Sequence, residues 1–177
     1  MDDMDGILSW IRAVEIIIRG GFLLFLSVAG YQDLKEQKVR VRLFMIFGSL
    51  GTAFRGIQMV LELKVIALQF GQQDLLAFAG KRLEEIGLAV MIGGILLVIS
   101  AITKEAIGRG DGWFFVVSGI YLGFAKNVLL LCGGLLFCFL ACAVLFMKGI
   151  LDGRDARRQR LPFIPFLIPA GLGVMFL

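Results

Sequence analysis

The chain has 177 residues, of which 59% are hydrophobic and 18% are charged, with a net charge of +4 and no histidine. A soluble domain is roughly 45–50% apolar with about 25% charged residues, so this composition excludes a soluble protein and indicates a membrane protein. The absence of histidine also excludes Ser-His-Asp and Cys-His nucleophilic sites, histidine metal sites and histidine proton relays.

Long apolar runs predict an all-α integral membrane protein, because a helix needs about 20 residues to cross a hydrocarbon core of about 30 Å. In chain order, the six predicted transmembrane helices are residues 13–31, 43–61, 86–102, 112–125, 128–147 and 162–177. The fourth and fifth lie in one apolar run that would be about 52 Å long as a single helix, too long for one crossing. Lys126 and Asn127 interrupt this run, so we expect a helical hairpin to turn there.

The connectors between these spans are too short for a second domain, so residues 1–177 are expected to form one membrane-embedded domain. Residues 62–85, between the second and third spans, mix apolar and polar side chains. This mixture is typical of a helix lying in the membrane interface. The acidic N-terminus has neither the basic start nor the cleavage site of a secretory signal, so we expect the first apolar segment to be retained.

The distribution of charge predicts the orientation of the chain. Basic residues in short loops favour the cytoplasmic side, and most of the 18 lysines and arginines follow the first, third and fifth spans. This bias predicts that both termini are extracytoplasmic. Arg19 and Arg55 lie inside spans, where a charge needs a partner. Glu15 precedes Arg19 by one helical turn and predicts an ion pair, whereas Arg55 has no obvious partner in the sequence.

Two aspartates are predicted to lie at the cytoplasmic boundary, since Asp33 follows the first span and Asp111 opens the fourth. Two neighbouring carboxylates cannot easily both ionise, so one can act as general acid while the other activates water. Such a pair could hydrolyse a peptide without histidine or a metal. Gly108, Gly110 and Gly112 remove side chains around Asp111 and permit unusual backbone conformations, so a substrate backbone could approach closely.

The alternative is that both aspartates are solvated loop residues with Lys35 and Arg109 as ordinary ionic neighbours, because aspartate is mostly an exposed residue. Other acidic residues also occupy the predicted cytoplasmic loops, so location does not distinguish this pair. The glycines around Asp111 favour the functional interpretation.

Three segments resemble the bacterial type IV prepilin peptidases, which are membrane aspartyl proteases with a GxGD motif. They are Asp33-Leu34-Lys35 after the first span, Gly-Arg-Gly-Asp at 108–111 and Pro-Phe-Ile-Pro-Phe-Leu at 162–167. The resemblance implies that Asp33 and Asp111 form the catalytic pair of a single membrane-embedded peptidase domain. It also implies removal of the short basic leader of prepilin-like proteins at the cytoplasmic face of a bacterial cell membrane.

The same resemblance implies which partners and cofactors to expect. Prepilin-like substrates and membrane lipid are the expected partners, with no nucleic acid, no cofactor and no metal. The paired CxxC motifs of the longer, bifunctional members do not occur in this sequence, so we expect peptidase activity without N-methyltransferase activity. The sequence leaves the oligomeric state open.

Two departures from the family pattern motivate a second hypothesis. Val39-Arg40-Val41 stands where many members have Ile-Pro-Asn, and Trp113 stands where a lysine is common. The chain could therefore be a membrane assembly factor that retains the peptidase fold without activity. A small transporter is a poorer third hypothesis, because only Arg19 and Arg55 place an ionisable group well inside a span.

Prolines, phenylalanines and glycine pairs receive structural interpretations. The three prolines are expected to start or kink the last span, and Phe163 and Phe166 to face lipid or pack. Four glycines are expected to allow close helix packing, namely Gly93, Gly94, Gly133 and Gly134.

Overall fold

The computed structural model describes residues 2–69, 72–103, 108–151 and 162–176. Within these ranges the regular structure is entirely helical, which confirms the all-α class. The helices are α1 (Asp2–Glu36), α2 (Val41–Gln69), α3 (Gln72–Ile102), α4 (Arg109–Leu122), α5 (Phe124–Leu151) and α6 (Leu167–Phe176). A short 3₁₀ helix, Ile164–Phe166, leads directly into α6.

The chain is a multi-pass membrane protein. Within the described ranges, four helical stretches are long and apolar enough to cross a membrane, Met4–Glu36, Val41–Gln69, Asp74–Ile102 and Phe124–Lys148. The remaining two helices are shorter than the about 20 residues that a crossing needs, since α4 has 14 residues and α6 has 10. The six-span count and the extracytoplasmic termini therefore stay predictions.

Helix α4 lies at the centre of the fold, because it is apolar around its whole circumference and most of its side chains are buried. Phe114 stacks on Phe25 of α1 with ring centroids 5.0 Å apart. Tyr121, near the other end of α4, packs against Phe22 at 6.4 Å and donates its hydroxyl hydrogen bond to the Phe47 carbonyl of α2. These contacts show that α1 and α4 run antiparallel.

Glycines bring α3 close to α4 and α6 close to α5. A Cβ added at Gly93 would collide with the backbone nitrogen of Val116, and one added at Gly133 would lie 2.9 Å from the Cβ of Ala170. Gly134 likewise contacts α6, whereas Gly94 has no neighbour within 4 Å among the described residues. The packing prediction is therefore confirmed for three of the four glycines and wrong for Gly94.

The predicted hairpin between the fourth and fifth segments is present, but its turn lies earlier in the chain. Gly123 alone separates α4 from α5 and has a φ of 76°, a conformation that favours glycine. Lys126 and Asn127 lie in the first turn of α5. Asn127 is buried there, donates hydrogen bonds to the Ala89 and Phe115 carbonyls at 3.1 Å, and so joins three helices. Asn127 does not break the helix, because its side chain is hydrogen-bonded to groups of α3 and α4.

The prediction of an interfacial helix over residues 62–85 is wrong. Helix α2 continues to Gln69 and α3 begins at Gln72, so this stretch forms the facing ends of two long helices. Glu62 and Arg82 pair across these helices, with N···O distances of 2.9 and 3.1 Å. Glu62 and Arg82 therefore satisfy each other within the fold.

The two arginines inside the spans both have partners. Arg19 pairs with Glu15 at 2.6 Å, which confirms that prediction. Arg55 donates to the Ile120 carbonyl at 3.0 Å, to the Tyr121 carbonyl, and to Gln58 at 2.9 Å. The two carbonyls lie in the last turn of α4, where a helix leaves oxygen atoms without internal donors. Arg55 thus supplies the hydrogen bonds that the end of α4 lacks.

Candidate active site

Asp33 lies near the end of α1 and is buried, with 8% of its surface exposed. It continues the buried stripe of Leu26 and Ala29, because residues three and four apart share one face of a helix. Its Oδ2 accepts a hydrogen bond from the backbone N–H of Ile164 at 3.0 Å, and the N–H of Phe163 also donates to it. The carboxyl is therefore held against the start of the last helical segment.

Asp111 lies in the first turn of α4. Gly108 is the N-cap of this helix, and its backbone N–H donates a hydrogen bond back to the Asp111 carboxyl, as in a capping box. The N–H of Asp111 in turn donates to the Gly108 carbonyl at 3.0 Å. The carboxyl is thus tied to the N-terminal end of α4, where the helix dipole favours negative charge.

The packing of α1 against α4 brings the two aspartates together. Phe25 of α1 packs against Phe114 of α4, and the two helices are antiparallel. Asp33 follows Phe25 along α1 and Asp111 precedes Phe114 along α4, so both aspartates lie at the same end of the fold. Asp33 lies close enough for its negative charge to act on Asp111. Neither residue is in a loop, so the interpretation of both as solvated loop residues does not hold.

The surroundings of the two carboxyls favour a protonated Asp111. The pKa of Asp111 is raised to about 7, mainly by burial and also by the negative charge of Asp33. The hydrogen bond from the Gly108 backbone acts in the opposite direction and lowers the pKa. Two backbone N–H groups stabilise the negative charge of Asp33. Asp111 lies outside the four candidate membrane spans of the described residues. Near neutral pH the pair can therefore share one proton, held mainly by Asp111.

The three glycines around Asp111 have three different roles. A Cβ at Gly108 would lie 3.1 Å from Oδ2 of Asp111, and one at Gly112 would lie 2.7 Å from Leu97 of α3. Among the described residues, a Cβ at Gly110 would meet nothing within 4 Å. Gly108 has an ordinary φ of −60°, so the expectation of an unusual backbone conformation is wrong for this residue. Gly108 leaves room for the carboxyl, Gly112 allows close helix packing, and Gly110 has no described neighbour on its Cβ side.

The sequence did not reveal the backbone donors of Phe163 and Ile164. Pro165 does occupy the start of the 3₁₀ helix, which confirms helix entry for that residue, and Phe163 packs against Phe115 at 6.5 Å as expected. The first N–H groups of a helical segment have no internal acceptor, so they need a partner from elsewhere. That general requirement, together with a buried aspartate, is the signal that could have suggested the contact.

The site relies on carboxyl and backbone groups. Within the part of the chain that the structure describes, no group of three or more Asp, Glu or Cys side chains converges as a metal site would require. Asp33 and Asp111 each interact instead with backbone N–H groups and with each other. This arrangement can hold one proton and one negative charge side by side, which is the requirement for paired acid and base chemistry.

Comparison with known proteins adds independent information. The type IV leader peptidase family matches residues 21–151, a stretch that contains both aspartates and the three glycines. A prepilin leader peptidase/N-methyltransferase from Bacillus subtilis (strain 168) is 41% identical over 70 residues, which are 40% of this chain and 27% of that relative. The chain thus aligns with about a quarter of the relative's length, and no solved structure matches it. Because the family match covers well over half of its length, the chain belongs to the type IV leader peptidase family.

Proposed function

We propose that this chain is a membrane aspartyl endopeptidase that removes the leader of prepilin-like proteins at the cytoplasmic face of a bacterial cell membrane. Asp33 and Asp111 are its catalytic residues, and residues 1–177 act as one peptidase domain. The observation that carries the proposal is the pairing of a buried carboxyl, Asp33, with a partly buried one, Asp111, each held by backbone donors. Family membership supports the same conclusion.

The different surroundings of the two carboxyls assign their roles. Asp33 is the base, because two N–H groups stabilise its negative charge. It takes a proton from water, and the water oxygen attacks the carbonyl carbon of the scissile peptide while Asp111 gives its proton to the carbonyl oxygen. In the second half, the protonated Asp33 delivers its proton to the leaving nitrogen, the C–N bond breaks, and Asp111 recovers the proton from the hydroxyl.

Access of the substrate follows from the shape of the GxGD segment. Among the described residues nothing lies within 4 Å of a Cβ at Gly110, so an extended peptide backbone can approach the carboxyls there. The site lies near the C-terminal end of α1, beside the charged residues Lys35 and Glu36, where water can reach it from the aqueous side. The apolar segment of a prepilin-like substrate stays in the membrane while its leader reaches the site.

A processing assay tests this function. A prepilin-like precursor is co-expressed with the wild type, with Asp33→Asn and with Asp111→Asn, and leader removal is followed by gel mobility and mass spectrometry. Each variant should process at least about 100-fold more slowly, because each removes one proton-transfer group. Asp74→Asn, a change of an exposed aspartate in the first turn of α3, should process normally. Normal processing by Asp111→Asn would contradict the proposal.

The second candidate is a membrane assembly factor that binds precursors without cleaving them. The observation that favours it is Trp113, which is 45% exposed two positions after Asp111, where a lysine is common in the family. Under this alternative the purified protein would bind the precursor, leave it uncut, and bind equally well when both aspartates are changed to asparagine. Leader removal by the purified protein would exclude the alternative.

A further inference from the structure

A charged cleft of about 350 Å³ opens at the opposite end of α4 from the aspartates. Helices α2 and α3 and the turn between α4 and α5 form its walls. We call it the distal cleft. Five charged side chains line it, and the proposed peptidase reaction uses none of them: Arg55, Glu62, Arg82, Glu85 and Lys126.

The distal cleft lies between about 14 and 30 Å from the aspartates along the helix axes. Gly48 of α2 faces Val117 and Gly51 faces Tyr121, so α2 and α4 run side by side and begin at about the same level. From the first residue of α2 to Glu62 the helix rises by about 30 Å, which is the thickness of a hydrocarbon core. From Asp111 to Ile120, α4 rises only about 14 Å, so the cleft extends from inside the hydrocarbon core out to the depth at which the lipid headgroups of the opposite leaflet begin.

The charges of the distal cleft do not balance. Its three cationic side chains face two carboxylates, which leaves one excess positive charge. Arg55 is engaged by the α4 carbonyls, and Arg82 by Glu62 at 2.9 Å and Glu85 at 3.1 Å. Lys126 has no ion pair within the described ranges. The excess charge is thus on Lys126, whose ammonium is available to an anion.

The remaining walls of the distal cleft are apolar, and they continue onto the outer surface of the helices. The apolar side chains that line the cleft include Ile86, Ile120 and Leu122. Phe124 also lines the cleft and is exposed on the outer surface. Val60 and Leu129, near the cleft in sequence, are also exposed apolar side chains. A volume of 350 Å³ holds a headgroup but not the acyl chains of a lipid. The chains would have to lie along these exposed apolar side chains.

From this combination of depth, charge and apolar surface, we propose that the distal cleft binds the phosphate group of a membrane phospholipid. Lys126 donates hydrogen bonds to the phosphate, and the acyl chains lie against the apolar surface of α2 and α5. An uncharged lipid would leave the charge of Lys126 uncompensated. The proposal does not depend on peptidase activity.

Native mass spectrometry of the detergent-purified full chain tests the site with three probes. Phosphatidylglycerol carries phosphate and acyl chains, diacylglycerol carries the same chains without phosphate, and glycerol 3-phosphate carries phosphate without chains. The wild type should retain phosphatidylglycerol and neither of the others at the same concentration. Lys126→Gln should weaken retention about 5-fold, the upper range for a partly exposed ion pair, while Lys126→Arg should stay within about 2-fold.

Controls make each result decisive. Lys81→Gln removes an exposed lysine of α3 that is not part of the cleft lining, and should retain lipid like the wild type. Thermal unfolding establishes that Lys126→Gln folds, which is expected because no ion pair is lost. Equal retention by Lys126→Gln and Lys81→Gln would overturn the proposal. If the wild type bound diacylglycerol as well as phosphatidylglycerol, the cleft would be only an apolar groove, and the proposal would be overturned. If it bound glycerol 3-phosphate equally well, the cleft would be a site for free anions, and the proposal would also be overturned.

Discussion

At its first turn α4 places Asp111 beside Asp33, a group of the same charge, whereas at its last turn it presents carbonyl oxygens to Arg55, a group of opposite charge. The first arrangement is electrostatically unfavourable when both carboxyls ionise, and the second is favourable. Active sites are often the places where a protein tolerates such conflict. The comparison suggests that one end of α4 is arranged for chemistry and the other for stability.

The largest expected effect on stability comes from breaking the favourable end. Arg55→Met removes the donors to Ile120 and Tyr121 and leaves polar groups unpaired inside the fold. We expect a loss of about 3 kcal/mol in the free energy of unfolding, typical of breaking a buried charged network. Arg19→Met is the matched control, because the pair of Arg19 with Glu15 is exposed and should contribute less than about 1 kcal/mol. Thermal unfolding in detergent, measured side by side, checks both; equal losses would refute the comparison.

The conflict at the other end should be visible as a pH dependence of stability. The pKa of Asp111 is raised from 3.8 to about 7 in the folded chain, so the folded state binds the proton more tightly than the unfolded state. The contribution of Asp111 to stability is therefore fully present below 3.8 and is lost as the pH rises through about 7. Asp111→Asn should flatten this dependence and raise the unfolding temperature above that of the wild type at pH values above about 7.

Unfolding midpoints across this pH range, measured in detergent, check the prediction. Asp74→Asn should keep the wild-type slope, because Asp74 is exposed in the first turn of α3. An unchanged slope in Asp111→Asn would show that the carboxyls do not interact as described. If Asp111→Asn loses processing but unfolds at a higher temperature than the wild type, then Asp111 is needed for catalysis and not for folding.

The smallest effect distinguishes two glycines that flank the same carboxyl. Gly108→Ala places a Cβ 3.1 Å from Oδ2 of Asp111 and should displace that oxygen, so processing should slow by about 10-fold. Gly110→Ala meets only open space among the described residues and should leave the unfolding temperature unchanged. It should raise the KM for the precursor with little change in kcat, because the added methyl group occupies the substrate side. A larger effect on kcat at Gly110 than at Gly108 would reverse these assignments.

The parts of this fold that the sequence predicts are those determined locally. Apolar runs mark the long helices because hydrocarbon requires them, and Glu15 with Arg19 forms a pair within one helical turn. The partners of Arg55 and Asp33 lie 65 and 131 residues away, so no local pattern could indicate them. The position of the turn between α4 and α5 was missed for another reason. The sequence does not distinguish Gly123 from the other glycines of the apolar run, whereas Lys126 and Asn127 are polar residues that interrupt it.

The hydrogen bond from Ile164 to Asp33 joins the first long helix to the last helical segment across 131 residues. During synthesis, a nascent chain that has already inserted α1 through α5 still lacks the donors that hold Asp33 in place. The two aspartates can be present in the membrane while the base remains unsupported. For the proposed peptidase, the support of its base would therefore depend on synthesis of the last helical segment.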